Sequence, residues 1–167
     1  MTTQSKLHEM FEYRNDGNLI HKHTVQGGKQ KGAVAGSPHN AGYRQICIDY
    51  KKHLIHRLVW MYHYGEMPTQ IDHINGNRSD NRIENLRECT YSQNHGNRKM
   101  SSSNTSGYKG VFLDKRDGFW FVYIANEYKG RYRTAQEAAD AYDMFAKEHF
   151  GKFAFTNKEI RNVRKTN

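Results

Sequence analysis

Between Ile71 and Asn97 the chain reads IDHINGNRSDNRIENLRECTYSQNHGN. Asp72 and His73 put a carboxylate and an imidazole on successive residues. In a strand these point to opposite faces, so one of the pair can face a metal ion and the other a water molecule. Asn94 falls in the first turn of a helix that Thr90 and Gln93 open at capping-box spacing, where its amide oxygen can serve the ion carried by Asp72. Hard oxygen donors suit magnesium, and an imidazole that is neutral near pH 7 can take a proton from water. Hydrolysis of a phosphodiester needs these parts: an activated water, neutralised charge on the phosphate and help for the leaving oxygen.

The elements that must position those groups are legible around them. NGNRSDNRIENL is a long turn of Asn, Asp and Arg side chains that satisfy local backbone groups. It links a first strand to a second, NLRECT, and Asn85 at the start of that second strand is placed to pin the loop and the His73 backbone. Upstream, FEYRNDGNLIHKH reads as two short strands around a turn, followed by a Gly-rich basic loop. YRQICIDY alternates Ile46, Ile48 and Tyr50 on one strand face. HLIHRLVWMYHYGEMP sets Ile55, Leu58, Val59 and Tyr62 at helical spacing, with Gly65 as the stop and Pro68 beyond it. Downstream, the aperiodic RKMSSSNTSG reads as a linker. Three strands follow, split at 115–118 and 126–127. A helix capped by Thr134 and Glu137 then carries the stripe Ala138, Tyr142, Phe145 and Ala146 up to Gly151. Alternation turns Trp120, Val122 and Ile124 toward that helix and Phe119, Phe121 and Tyr123 away from it. The tail, 158–167, is basic and reads as irregular.

Only 36% of the 167 residues are hydrophobic while 13% are aromatic, which favours two small modules over one large core. Twenty-six Lys and Arg against 17 Asp and Glu give a net charge of +9, which suits a polyanionic partner, nucleic acid above all. The charge is banded: residues 1–63 and 97–133 each carry +5, whereas 64–96 carry −2. The acidic stretch that holds Asp72 thus lies between basic flanks. Two cysteines, Cys47 and Cys89, exclude a four-cysteine zinc site and a disulfide scaffold, and read as buried thiols of a reducing compartment. With no apolar signal core and no long apolar run, a cytoplasmic protein with no membrane partner is expected.

The strand pair with Asp-His, the central Asn and the helix-borne Asn resemble the HNH endonucleases. IHRLVW, GEMP, IDHINGN, DNRIENLRE and SQN are similar to the branch found in phage-encoded homing endonucleases. That resemblance implies a ββα-metal core acting on double-stranded DNA. His73 would be the general base, Asp72 and Asn94 the ligands of Mg2+ (or Mn2+), and Asn85 the central structural Asn. His56 and Arg57 would be a His-Arg pair that orients phosphate or braces the site. His95 is the competing ligand at the end of the motif, and would favour zinc, nickel or cobalt. The resemblance also implies a nickase acting as a monomer, with a dimer as the alternative. A DNA-binding regulator on a non-catalytic HNH scaffold is the rival reading.

YKGV, Trp120, TAQEAADAYD and GKFAFTN, in that order, resemble the DNA-binding domain of plant ethylene-response and APETALA-type factors, whose three-stranded sheet enters the major groove. On that resemblance Phe119, Phe121 and Tyr123 form an exposed aromatic row. Lys109, Lys115, Arg116, Lys129, Arg131 and Arg133 surround it. The connection between the second and third strands is shorter than in the plant pattern. The expected fold class is α+β: a ββα-metal nuclease core over 1–97, a linker over 98–104, and a small three-stranded antiparallel sheet with one packed helix over 105–157. A basic tail follows over 158–167. Cutting the chain after Ser103 is expected to weaken DNA binding and to leave an active nuclease core.

Overall fold

The computed structural model describes residues 2–26, 28–101 and 103–165. It mixes helix and sheet and divides into two compact units, residues 1–89 and 90–167. Among the described residues no helix is long and apolar enough to cross a membrane.

The first unit opens with α1 (Gln4–Met10), whose N-cap Thr3 accepts a hydrogen bond from the Lys6 backbone. Then come the hairpin β1 (Phe11–Tyr13) and β2 (Leu19–His21), the sheet β3 (Ser37–Pro38), β4 (Arg44–Ile48) and β5 (Lys51–Leu54), and helix α2 (Ile55–Tyr64). α2 buries Ile55, Leu58 and Val59, and Gly65 ends it with φ 75°, its N–H returning to the Met61 carbonyl. These residues share one core with Leu7, Phe11, Leu19 and Ile48. The antiparallel pair β6 (Gln70–His73) and β7 (Leu86–Cys89) completes the unit, with Ile71 and Leu86 reaching the same core.

Two expectations fail in this unit. Tyr50 does not extend the face of Ile46 and Ile48. Ile48 pairs with Lys51, so Asp49 and Tyr50 form a two-residue turn at φ 50° and 61°, and Tyr50 projects fully into solvent. Cys47, opposite Lys52, is exposed, whereas Cys89 is buried and its thiol is pushed up to about 11 by desolvation.

Gly17, in the β1–β2 turn, holds the backbone of the Asn81 segment in place. It has φ 83°, and a Cβ there would sit 2.4 Å from the Arg82 nitrogen and 2.5 Å from the Asn81 carbonyl carbon. Gly17→Ala is expected to cost about 3 kcal/mol from left-handed strain plus overpacking, read as a lowered urea midpoint.

The second unit begins with α3 (Tyr91–Gly96) under the expected capping box of Thr90 and Gln93. The sheet β8 (Val111–Leu113), β9 (Trp120–Ile124) and β10 (Glu127–Tyr132) has β9 in the centre. Helix α4 (Ala135–Phe150) packs on it through Ala138, Tyr142 and Ala146, under the expected Thr134–Glu137 box. Residues 98–104 carry no helix or strand where described, and Ser102 lies outside the described residues. The tail is not irregular: α5 (Asn157–Lys165) is helical, its first N–H groups donating to the buried Asp143 carboxylate at 2.6 and 2.9 Å. Thr166 and Asn167 lie outside the described residues.

Candidate active site

Asp72 and His73 end β6, and both are buried, at 5% and 4% exposure. Asp72 lies directly across from Arg87 of β7, and its Oδ2 accepts from both Nε and Nη2 of that guanidinium at 2.8 Å. This buried pair is of the charge-assisted type, and both bonds end on one oxygen, which holds Oδ2 in place. Any cation at Asp72 shares the carboxylate with Arg87.

His73 Nε2–H donates to Asn81 Oδ1 at 3.3 Å, which places the basic lone pair on Nδ1. Burial lowers the His73 pKa, against smaller opposing effects of Asn81, Asp72 and Asp80, so the ring is neutral at pH 7. The His56 ring stands 5.0 Å from the His73 ring at 71°, and Tyr43 lies 5.1 Å from His56 and 5.9 Å from His73. His56 is buried, its Nδ1 has no hydrogen-bond partner among the described residues, and desolvation drives its pKa down to about 3. It is a neutral wall against His73, unfit to carry a positive charge to a phosphate.

That depressed value makes His56 an acid liability. The unfolded chain binds the proton at the ordinary imidazole value while the folded one resists it, so stability falls as pH drops from about 6.5 toward 3. At pH 4.5 the His56 share is about 3 kcal/mol. His56→Leu is expected to remove that share, measured as the difference in urea unfolding between pH 7.5 and 4.5.

Arg57 points elsewhere, its Nη2 donating to the Pro68 carbonyl at 3.2 Å. It braces the loop that leads from α2 to β6. Asn85 pins the long turn: its Oδ1 accepts from the Asn75 N–H at 3.0 Å, and its Nδ2 donates to Asn75 Oδ1 and the Asp80 carbonyl at 3.1 and 2.8 Å. Its carbonyl also accepts from the N–H of Ile74, the residue after His73. The Asp80–Arg82 fork stiffens the turn further, and that guanidinium holds the Asp80 carboxyl down at about 2. The sequence reading missed Asn81. It is 2% exposed, yet one Asn among many in a polar turn carries no local mark of its contact.

Asn94 and His95 sit on α3, in the second unit, Asn94 half-buried and His95 exposed. Among the described residues no three His, Cys, Asp or Glu side chains group as a metal site. The ligands expected from sequence are instead one carboxylate and one amide, hard donors of the kind a magnesium ion accepts alongside waters.

The aromatic row of β9 is only partly as expected. Val122 and Ile124 are buried, but Phe119 and Phe121 are half-covered and only Tyr123 is exposed. Arg131 lies 4.0 Å over the Phe119 ring and Tyr128 covers Phe121 at 5.9 Å. Lys109 does not flank this face. Its Nζ donates to the Gly96 and Phe155 carbonyls at 2.6 and 3.2 Å, and burial lowers its pKa to about 8. Lys129 pairs with Glu127 and reaches over Phe145 of α4. Arg116 pairs with Asp114, Arg131 approaches Asp117 at 3.5 Å, and Lys115 and Arg133 are exposed.

A family model for the HNH endonuclease matches residues 53–95, from β5 through α3. An uncharacterized HNH endonuclease of Acanthamoeba polyphaga mimivirus is 32% identical over 124 residues, covering 71% of this chain and 64% of that protein. Protein 3.8 of Escherichia phage T7 is 38% identical over 89 residues, 52% of this chain and 71% of its own length. The chain carries an HNH endonuclease domain over residues 53–95. It thus spans just under two thirds of the mimivirus relative. An ethylene-responsive transcription factor of Arabidopsis thaliana is 40% identical over 67 residues, 36% of this chain but 16% of the plant protein. No solved structure matches the chain.

Proposed function

We propose that the chain is a metal-dependent DNA endonuclease, a site-specific homing-type nickase of phage origin. The observation that carries this is the Asp72–His73 pair at the end of β6, with the imidazole tautomer set by Asn81, inside the segment that matches the HNH family. Nδ1 of His73 takes a proton from water, and the water oxygen attacks phosphorus. The P–O3′ bond breaks and the departing O3′ takes a proton from solvent water, leaving a 5′-phosphate and a 3′-hydroxyl. Asp72 and Asn94 are the proposed ligands of Mg2+ or Mn2+, with His95 the less favoured donor. When bound, such an ion neutralises phosphate charge and assists the leaving oxygen. Arg87 orients Asp72, Asn85 and Asn81 hold the turn and the base, and His56 keeps the far side of His73 dry. Arg57 acts one step further out, as a brace.

Residues 1–97 would form the nuclease module and 105–157 a DNA-positioning module of the ethylene-response-factor type, joined through 98–104. Lys115, Arg116, Arg131 and Arg133, with the tail from 158, would meet phosphates, giving marked salt dependence. The enzyme would act as a monomer in the host cytoplasm.

The test is supercoiled plasmid and phage genomic DNA, each with and without Mg2+ or Mn2+. Relaxed circles that form only with metal support the reading. DNA that is retarded but uncut under every condition would establish the rival, a regulator built on a silent HNH scaffold.

A further inference from the structure

The face of the β8–β9–β10 sheet turned away from α4 carries four aromatic rings on three neighbouring strands. Phe112 pairs with Phe121 across β8 and β9, and Tyr123 pairs with Tyr128 across β9 and β10. Residues directly opposite in an antiparallel sheet share a face. Ring centroids are 5.9 Å apart for Phe112–Tyr123, 5.7 Å for Tyr123–Tyr128 and 5.9 Å for Phe121–Tyr128. Phe112 and Tyr128 are each 54% exposed and Tyr123 is 41% exposed. A continuous apolar platform of this kind signals a partner.

Beside the platform, within the same unit, runs an open groove of about 1080 Å³. Phe112 and Tyr123 form part of its wall, and so do Arg98, Lys99 and Lys115, while no Asp or Glu is among its described lining residues. The partner is therefore polyanionic and also presents flat apolar faces, which is the description of a nucleic acid strand. Within a duplex those base faces are hidden by stacking. Edges alone are then readable, and reading them takes forked donors and acceptors. On this face Phe112 and Phe121 have neither. Arg131, in register with Phe121, is already stacked on Phe119 and near Asp117.

We propose that this face and groove bind unpaired DNA, with bases stacked on Phe112, Phe121, Tyr123 and Tyr128 and phosphates along Arg98, Lys99 and Lys115. The proposal rests on the reading of this unit as a DNA-positioning module, and assigns it a strand with its bases unstacked in place of an intact major groove. Stacking of bases on aromatic side chains is tolerant of sequence, so the platform adds affinity for opened DNA with little base choice.

The test uses the full chain in EDTA, so that no DNA is cut, and reads fluorescence anisotropy of dye-labelled oligothymidylate and of a duplex of equal length. The wild type is expected to bind the single strand more tightly. The double substitution Tyr123→Leu and Tyr128→Leu is expected to weaken that binding by about tenfold to a hundredfold, with duplex binding changed less than about threefold. Unchanged thermal unfolding shows that the variant is folded. Because Arg98 and Lys99 are exposed, Arg98→Gln with Lys99→Gln supplies a second arm that does not touch the sheet. It is expected to weaken single-strand binding and flatten its salt dependence. Equal losses on both DNAs, or none, overturn the proposal. A protein that binds duplex but not single strand also overturns it and leaves the positioning module standing; binding to neither removes both.

Discussion

His73→Ala is expected to reduce strand cleavage about a thousandfold while DNA affinity stays within about threefold of wild type, because proton transfer by a positioned base supplies that order of rate. The loss should appear in single-turnover kinetics at saturating metal, which separates chemistry from binding. The imidazole lies in a buried pocket between Asn81 and His56, and neither an amide nor the strongly desolvated His56 ring is a ready base in its place. Full activity in His73→Ala would sink the general-base role. Asp72→Ala should also end cleavage, but with a second signature. It strips the carboxylate from Arg87, whose side chain is only 15% exposed, at a cost of about 3 kcal/mol in urea unfolding. The two variants are therefore told apart by stability, His73→Ala losing function with the smaller change in fold.

A chain ending at Ser103 is expected to lose cleavage by more than about a hundredfold even at saturating DNA, contrary to the simple two-module view. The reason lies in α3. Six residues are too few to hold a helix in water without tertiary support. In the second unit Gly96 at its end is held by residues beyond the cut: the Lys109 ammonium and the Phe155 N–H both donate to its carbonyl. A Cβ on Gly96 would fall 2.5 Å from Cγ of Phe150. Truncation removes all three contacts, and Asn94 loses its frame with them. Gly96→Val in the intact chain separates this effect from loss of the sheet, since it forces α3 off Phe150 and leaves the β8–β9–β10 face in place, and saturating DNA takes out any change in affinity at Arg98 and Lys99. Both chains should cleave poorly, while only the truncated one loses the sheet. Undiminished cleavage by the truncated chain would show that α3 needs no help from the residues beyond Ser103.

Much of the architecture was legible because its causes are local. Ile55, Leu58 and Val59 mark α2 by spacing, and Gly65 ends it for want of a Cβ. Thr90 with Gln93 and Thr134 with Glu137 announce two helix starts through hydrogen bonds that close within four residues. Strand alternation predicted burial of Val122 and Ile124 but misplaced Tyr50, because a two-residue turn cannot be told from a longer strand until its partner is known. α1 went unread, since only Leu7 of its seven residues is buried and a single apolar position has no period.

For the candidate site, the chain order alone determined which chemistry was available: a carboxylate beside an imidazole, an amide oxygen further on, and basic flanks for a polyanion. Only the tertiary structure decided which of many Asn side chains meets His73, that His56 is a neutral wall, that Arg57 braces Pro68, and that Lys109 is spent on α3 rather than on DNA. It also found Phe112 and Tyr128, which complete the sheet's aromatic face. Residue type and short spacing set what a group can do, because valence and pKa travel with the side chain. Which group it meets depends on strand register and on the path of turns, and those are settled by burial across the whole unit.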